Sequence, residues 1–191
     1  QPLYTFEVNV SGTINILQAI KGLKKKCTVI VVTTDKVYEN NESGRPFEVD
    51  DKLGGYDPYS ASKAMAELAV SCYRNSFFTV QSYENHKKAI ASVRAGNVIG
   101  GGDMSMDRII PDIIRAIENG NVVELRKPNS VRPWQFVLEP LSGYLMLGSK
   151  LSLDVASYSS AWNFGPESDE ILSVKEMTEL LKESIQKEWT L

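Results

Sequence analysis

"CTVIVVTTDK", residues 27–36, is a short unbroken run of β-branched side chains that stops abruptly in polar ones. Such a run reads as a strand buried on both faces of a parallel sheet. Upstream, "SGTINILQAIKGL" (11–23) places Ile14, Leu17, Ile20 and Leu23 on a three-to-four-residue period behind Ser11. This predicts an amphipathic helix with Ser11 as its N-cap. Downstream, the polar stretch from Tyr38 to Pro58 leads into a second helical pattern, "SASKAMAELAVSCYRNSFF" (60–78).

The alternation continues to the carboxyl end. "KAIASVRAGNVIG" (88–100) predicts a strand ending in glycines, "DRIIPDIIRAIENG" (107–120) a helix closed by Gly120, and "VVEL" (122–125) a strand. "LEPLSGYLMLGSKL" (138–151) predicts a helix, "AWNFG" (161–165) a strand, and "SVKEMTELLKESIQKEW" (173–189) a last helix with Ser173 and Glu176 as a capping box. Strand and helix in turn imply an α/β fold, a mainly parallel sheet with helices on both faces and right-handed crossovers. No internal repeat or low-complexity linker interrupts it.

Composition narrows the classes. A chain of 191 residues with 42% hydrophobic and 24% charged residues is of ordinary globular make-up. A net charge of -3, with "KGLKKK" (21–26) as its one basic run, leaves no electrostatic footprint for nucleic acid or anionic lipid. That run reads as the solvated end of a helix. No stretch reaches the roughly 18 apolar residues of a membrane span, and no basic-then-apolar leader opens the chain. Cys27 and Cys72 both lie in apolar patterns, where one disulfide would be an unusual staple. A soluble, cytoplasmic protein is expected, with no metal assigned.

In folds of this kind ligands sit at the carboxyl ends of the strands. "TTDK" (33–36) and "GNVIGGGD" (96–103) fall there. The plainer alternative is that Thr34 and Asp35 only satisfy loop backbone groups. "YSASK" sets Tyr59 four residues ahead of Lys63, so phenol and ammonium share a helix face, and the cation favours phenolate. Tyr-x-x-x-Lys also arises by chance as a surface pair. Here it opens a helix, one strand after "TTD", and that placement raises its weight.

The segments "EVNVSGTINILQAIK", "VVTTDKVYEN", "LGGYDPYSASKAMAELAVSCYRNSFF", "SVRAGNVIGGGD", "DRIIPDIIRA" and "PNSVRPWQFVLEPLSGYL" together resemble the extended short-chain dehydrogenase/reductases. Within that family they are most similar to the nucleoside-diphosphate-sugar 4,6-dehydratases, in the branch acting on CDP-glucose. The resemblance covers most of residues 3–150; beyond Leu151 it rests on "WNFGP" and the helix after it.

It implies a Rossmann-like doubly wound sheet, NAD as cofactor, a nucleotide-sugar substrate, deoxysugar synthesis for surface polysaccharide, and a homodimer formed through helices 11–23 and 60–77. Residues 1–100 would be the second half of the NAD-binding domain and 101–191 a substrate-binding region interleaved with the sheet. Tyr59 would take the proton of the sugar 4-hydroxyl as the C4 hydride passes to NAD, with Thr34 hydrogen-bonded to that hydroxyl. Lys63 would hold the nicotinamide ribose and depress the Tyr59 pKa, so that both residues bind cofactor. Asp35 would be the acid at the C6 hydroxyl. Lys36 stands where many relatives have a glutamate, as C5 base if neutral or otherwise as electrostatic support for the enolate.

Arg132 would grip the diphosphate, and Asn97 and Arg108 would lie beside sugar and nucleotide. For Arg108 a first-turn surface residue is an equal alternative. Phe136 stands where the family often has histidine, and His86 reads as a solvated turn residue. No glycine-rich strand-turn for the pyrophosphate occurs. The sequence therefore reads as an internal part of a longer enzyme, without dehydratase activity by itself. Two other readings stay open: an epimerase or reductase of the same family, and a non-catalytic binding or dimerisation module.

Overall fold

In a computed structural model the described residues are 1–40, 44–167 and 171–185. In chain order the elements are α1 (Pro2–Phe6), a π-helical turn (Glu7–Ser11), α2 (Gly12–Gly22), β1 (Cys27–Val32), a 3-10 turn (Asp35–Val37) and α3 (Pro58–Ser76). There follow a 3-10 turn (Val80–Ser82), α4 (Tyr83–His86), β2 (Lys88–Ala95), β3 (Asn97–Ile99), α5 (Ile109–Glu118), β4 (Val131–Arg132) and β5 (Trp134–Phe136). The chain ends with α6 (Leu138–Leu153), α7 (Val155–Tyr158), β6 (Ala161–Phe164), β7 (Leu172–Ser173) and α8 (Val174–Ser184). They fall into two compact units, Gln1–Ala95 with Pro140–Phe164, and Gly96–Glu139 with Gly165–Leu191.

The first unit is an α/β layer structure, as the alternating sequence requires. Its sheet has the order β1-β2-β6, all parallel, with Cys27 opposite Lys88 and Val93 opposite Trp162. Side chains of β2 alternate between two cores. Ile90 joins Leu17, Ile20, Val70 and Phe78 of the α2/α3 side, whereas Ala89, Ala91 and Val93 face Leu147 and Leu151 of α6. Each wholly buried leucine contributes about 1.5–3 kcal/mol, and both cores close on one strand. Every residue of β2 is buried.

Several expectations change. Ser11 is no N-cap: its backbone is helical, its side chain caps nothing, and the helical path already begins at Pro2. Proline at the first position, with its preset φ and missing N–H, is the start signal there. The doubly buried strand is β2, not β1. β1 is half-buried with Val32 exposed, because among the described residues it pairs on one side only. Residues 88–100 are not one strand; the run divides at Gly96, β2 in the first unit and β3 in the second. "VVEL" forms no strand, since no described strand pairs with it, although Val123 is buried against Ile113. The last helix carries its expected capping box, Ser173 with Glu176, and its predicted turns over residues 186–189 lie outside the described residues.

His86 is likewise not a solvated turn residue. Its Nδ1 accepts from the Lys88 N–H at 2.9 Å, which leaves Nε2 to donate to the Thr79 carbonyl, also at 2.9 Å. Lys88 is 1% exposed, and its ammonium donates to the carbonyls of Lys25 (2.6 Å) and His86 (2.8 Å). Both cysteines are free thiols, and no described helix is long and apolar enough to cross a membrane.

In the second unit β3 pairs in parallel with β5 and β4 antiparallel with β7. Ile113 and Val123 form its core with Leu181 and Ile185 beside them. Gly120, at φ +67°, closes α5 in the left-handed region that favours glycine.

Candidate active site

The chain leaves β1 through Thr33, whose N–H still bonds the Val93 carbonyl at 2.8 Å and so extends the ladder by one residue. Thr34 is extended (φ -158°, ψ 158°) and caps the turn that follows. Its Oγ1 donates to Asp35 Oδ1 at 3.0 Å and accepts from the Lys36 N–H at 3.4 Å. The Val37 and Tyr38 amides close the turn onto Thr34 and Asp35 carbonyls at 3.3 and 3.4 Å. Thr34 is buried, Asp35 half-buried and Lys36 exposed.

Against this turn lies the start of α3. Asp57 fixes that start: its Oδ1 accepts from the Tyr59 and Ser60 amides at 2.9 and 3.1 Å, its Oδ2 from Ser60 Oγ at 2.6 Å, and Pro58 occupies the first helical position. The Ser60 hydroxyl chiefly, with the two amides and Lys36 nearby, holds the Asp57 carboxyl below its ordinary range despite some burial. Gly55 is required just ahead of the helix. A Cβ there would stand 2.3 Å from the Ala61 nitrogen.

Tyr59 therefore projects from the first turn, 42% exposed, with Lys36 Nζ 5.9 Å from its ring centroid. One turn on, Lys63 is half-buried, and its Nζ donates to the Val32 carbonyl at the end of β1, at 3.4 Å. Burial holds its pKa below the usual lysine value. Thr34, Asp35, Lys36, Tyr59 and Lys63 are thus gathered at the carboxyl end of β1. The turn offers a carboxyl and a hydroxyl, and the helix a phenol with a cation behind it. That set can move protons at adjacent carbons of one substrate.

Beneath them lies a charged pair that the motif reading did not include. Glu67 and Arg94 are 2% and 6% exposed in their side chains, with 2.9 Å between Oε2 and the guanidinium. Burial drives the Glu67 carboxyl upward, but Arg94, Thr33 and Ser92 outweigh it and leave the pKa below the ordinary value. Glu67 follows Lys63 by the same four-residue step that separates Lys63 from Tyr59, and Arg94, like Lys88, is a charge within a strand whose residues are all buried. The four-residue step is the trace of them that the sequence carries.

The other anticipated residues belong to the second unit. Asn97 opens β3 opposite Trp134, and Arg132 lies exposed in β4 opposite Leu172, two residues before that tryptophan. Arg108 is the N-cap residue of α5, not a first-turn residue, and its guanidinium pairs with Asp103 at 3.2 Å on the surface. Phe136 is exposed in β5 opposite Ile99.

Comparison with known proteins agrees with this architecture. The sequence profile of the "NAD dependent epimerase/dehydratase family" matches residues 1–156. A CDP-glucose 4,6-dehydratase of Salmonella typhimurium is 48% identical over 175 residues, 92% of this chain and 49% of that protein. A CDP-paratose 2-epimerase of Salmonella typhi is 33% identical over 40% of the chain and 27% of its own length. The chain thus spans about half the length of the first relative, or less of the second. In structure it superposes on a dTDP-glucose 4,6-dehydratase from Streptomyces venezuelae solved with NAD bound (TM-score 0.78, 22% identity, 96% of this chain and 52% of that one). An epimerase from Methanothermobacter thermautotrophicus gives TM-score 0.79 at 20% identity over 100% of this chain and 53% of that one. The chain belongs to the NAD dependent epimerase/dehydratase family.

Proposed function

We propose that the intact protein is an NAD-dependent sugar-nucleotide 4,6-dehydratase that converts CDP-glucose to CDP-4-keto-6-deoxyglucose in deoxysugar synthesis for surface polysaccharide. The observation that carries this reading is the Thr34-Asp35-Lys36 turn set against the helix of Tyr59 and Lys63. The 48% identity with the Salmonella typhimurium dehydratase supports the choice of substrate.

Tyr59 removes the proton of the sugar 4-hydroxyl, and the Thr34 hydroxyl orients that oxygen. Asp35 gives a proton to the departing 6-hydroxyl. Lys36, exposed beside the Tyr59 ring, is assigned to C5: when neutral it takes the C5 proton, and when charged it supports the enolate while another base takes that proton. Lys63, half-buried beside the β1 end, fits the ribose next to the nicotinamide. NAD supplies the hydride acceptor and donor of such a reaction when bound. Tyr59 and Lys63 fit that end of the cofactor. The glycines of residues 100–102 precede α5 by a loop and offer no helix start for a pyrophosphate.

Arg132 is assigned to the substrate diphosphate as a bidentate cation, and Asn97 and Arg108 to sugar and nucleotide. Residues 1–100 are assigned to cofactor and 101–191 to substrate. A cytoplasmic homodimer is proposed, formed through α2 and α3, where Ile16, Met65, Leu68 and Cys72 lie exposed. Incubating the intact protein with CDP-glucose and NAD tests the reading. A 4-keto-6-deoxy product supports it; a C4 epimer would point to the epimerase branch, and recovery of unchanged substrate would refute both.

A further inference from the structure

We propose that Glu67 is a positioning residue for this site, a joint that holds the Thr34 turn and the Tyr59/Lys63 helix in one register. Its activity test rests on the dehydratase reading; its geometry does not. Tyr59, Lys63 and Glu67 recur every fourth residue and so descend one face of α3, from exposed phenol to half-buried ammonium to buried carboxylate. One Glu67 oxygen accepts from Thr33 Oγ1 at 2.5 Å, and the other from Ser92 Oγ at 2.8 Å and Arg94 Nη2 at 2.9 Å. Thr33 directly precedes Thr34, and Ser92 and Arg94 belong to β2. The end of β1, the centre of β2 and α3 thereby meet at a single carboxylate.

The joint extends further through Arg94. Its Nη1 donates to the Tyr38 hydroxyl at 2.7 Å and the Val49 carbonyl at 2.9 Å, and the Tyr38 hydroxyl donates to Asn163 Oδ1 at 2.6 Å. The chain between Lys36 and Tyr59 is therefore fastened to the same pair. Packed apolar side chains would serve stability equally well, since buried ion pairs often add nothing net. What they would not supply is direction. Three donors on a fixed anion define where Thr33 stands along α3, whereas a leucine contact lets strand and helix slide. Arg94 keeps the carboxylate ionised, so the donors face a full charge.

Thr33→Val and Thr33→Ser in the intact enzyme test the proposal, because they remove no charge from the Glu67–Arg94 pair, leave Glu67 held by Arg94 and Ser92, and remove no group that meets substrate. Thr33→Val removes the hydroxyl donor; Thr33→Ser keeps it. A displacement on the order of 1 Å costs up to about 10²-fold, so Thr33→Val should lower kcat at least about tenfold. KM for CDP-glucose and NAD affinity should stay within about twofold, and Thr33→Ser should restore kcat. Amide hydrogen exchange at Val37 and Tyr38, whose N–H groups close the turn, should quicken in Thr33→Val and not in Thr33→Ser. Wild-type kcat and exchange in Thr33→Val would overturn the proposal, as would equal losses in the two variants. If the wild type yields no keto sugar, the dehydratase reading fails, and the exchange measurement decides the positioning role by itself.

Discussion

Tyr59 and Arg132 separate chemistry from binding at the level of single side chains. Tyr59→Phe keeps the ring and removes the ionisable oxygen, so turnover of the intact enzyme should fall at least about 10²-fold with nucleotide affinity little changed. Arg132→Ala should raise KM first; steady-state kinetics on the two variants distinguishes the roles, and equal effects on KM and kcat in both would reverse the assignment. Glu67 predicts a pH dependence. Its folded pKa lies below the ordinary 4.5, so as pH falls the unfolded chain takes up the proton first. The stability contributed is therefore complete above that ordinary value and lost as pH drops through the depressed one. Wild type should lose denaturant midpoint more steeply than Glu67→Gln over that acid range, and parallel acid limbs would contradict the assignment. The places of Thr34, Tyr59 and Lys63, at a strand end and a helix start, were legible in the sequence, because a four-residue step at a helix start and a polar stop after a strand are local patterns. Glu67 and Arg94 were not. A charged residue in an amphipathic pattern reads as solvated, and the partner that makes its burial tolerable lies 27 positions away.

At the next scale, the two devices that start α3 set where its phenol points. Asp57 satisfies the first amides, and Gly55 lets the loop pass against the helix backbone. Gly55→Ala brings a methyl group to within 2.3 Å of a backbone nitrogen, a contact that no side-chain rotation relieves. The first turn must move. Thermal unfolding should fall and kcat should drop with it, while Gly120→Asn, at a left-handed position that asparagine tolerates, should leave kcat near wild type. Helices with periodic apolar faces were legible as elements, and so was the capping box of α8. Strands were less so. β-branched runs look alike in β1 and in "VVEL", and only a neighbouring strand decides whether such a run becomes a ladder, is half-covered or stays irregular. The split at Gly96 was hidden for the same reason: β2 and β3 are told apart by their partners, β6 and β5.

For the whole molecule, the exposed stripe Met65, Leu68 and Cys72 on α3, with Ile16 on α2, is more apolar surface than one sheet face needs. The intact protein should sediment at twice its protomer mass at micromolar concentration, and Leu68→Glu should shift it to the monomer; a wild-type monomer would dispose of the dimer. The parallel sheet and the layering of helices on both faces followed from the alternation of segments, whereas the strand order β1-β2-β6 did not, because it depends on which strands find partners. The seat of Lys88 has a consequence for reagents. Lys24 and Lys25 are exposed near the same end of the sheet, while the Lys88 amine is enclosed at the head of the central strand and occupied by two carbonyls. An acylating probe should tag the neighbours within its ordinary reaction time and spare this amine. Tagging of Lys88, read by peptide mass, should then rise with denaturant in step with global unfolding, which makes one native side chain an internal clock for the opening of the sheet's centre.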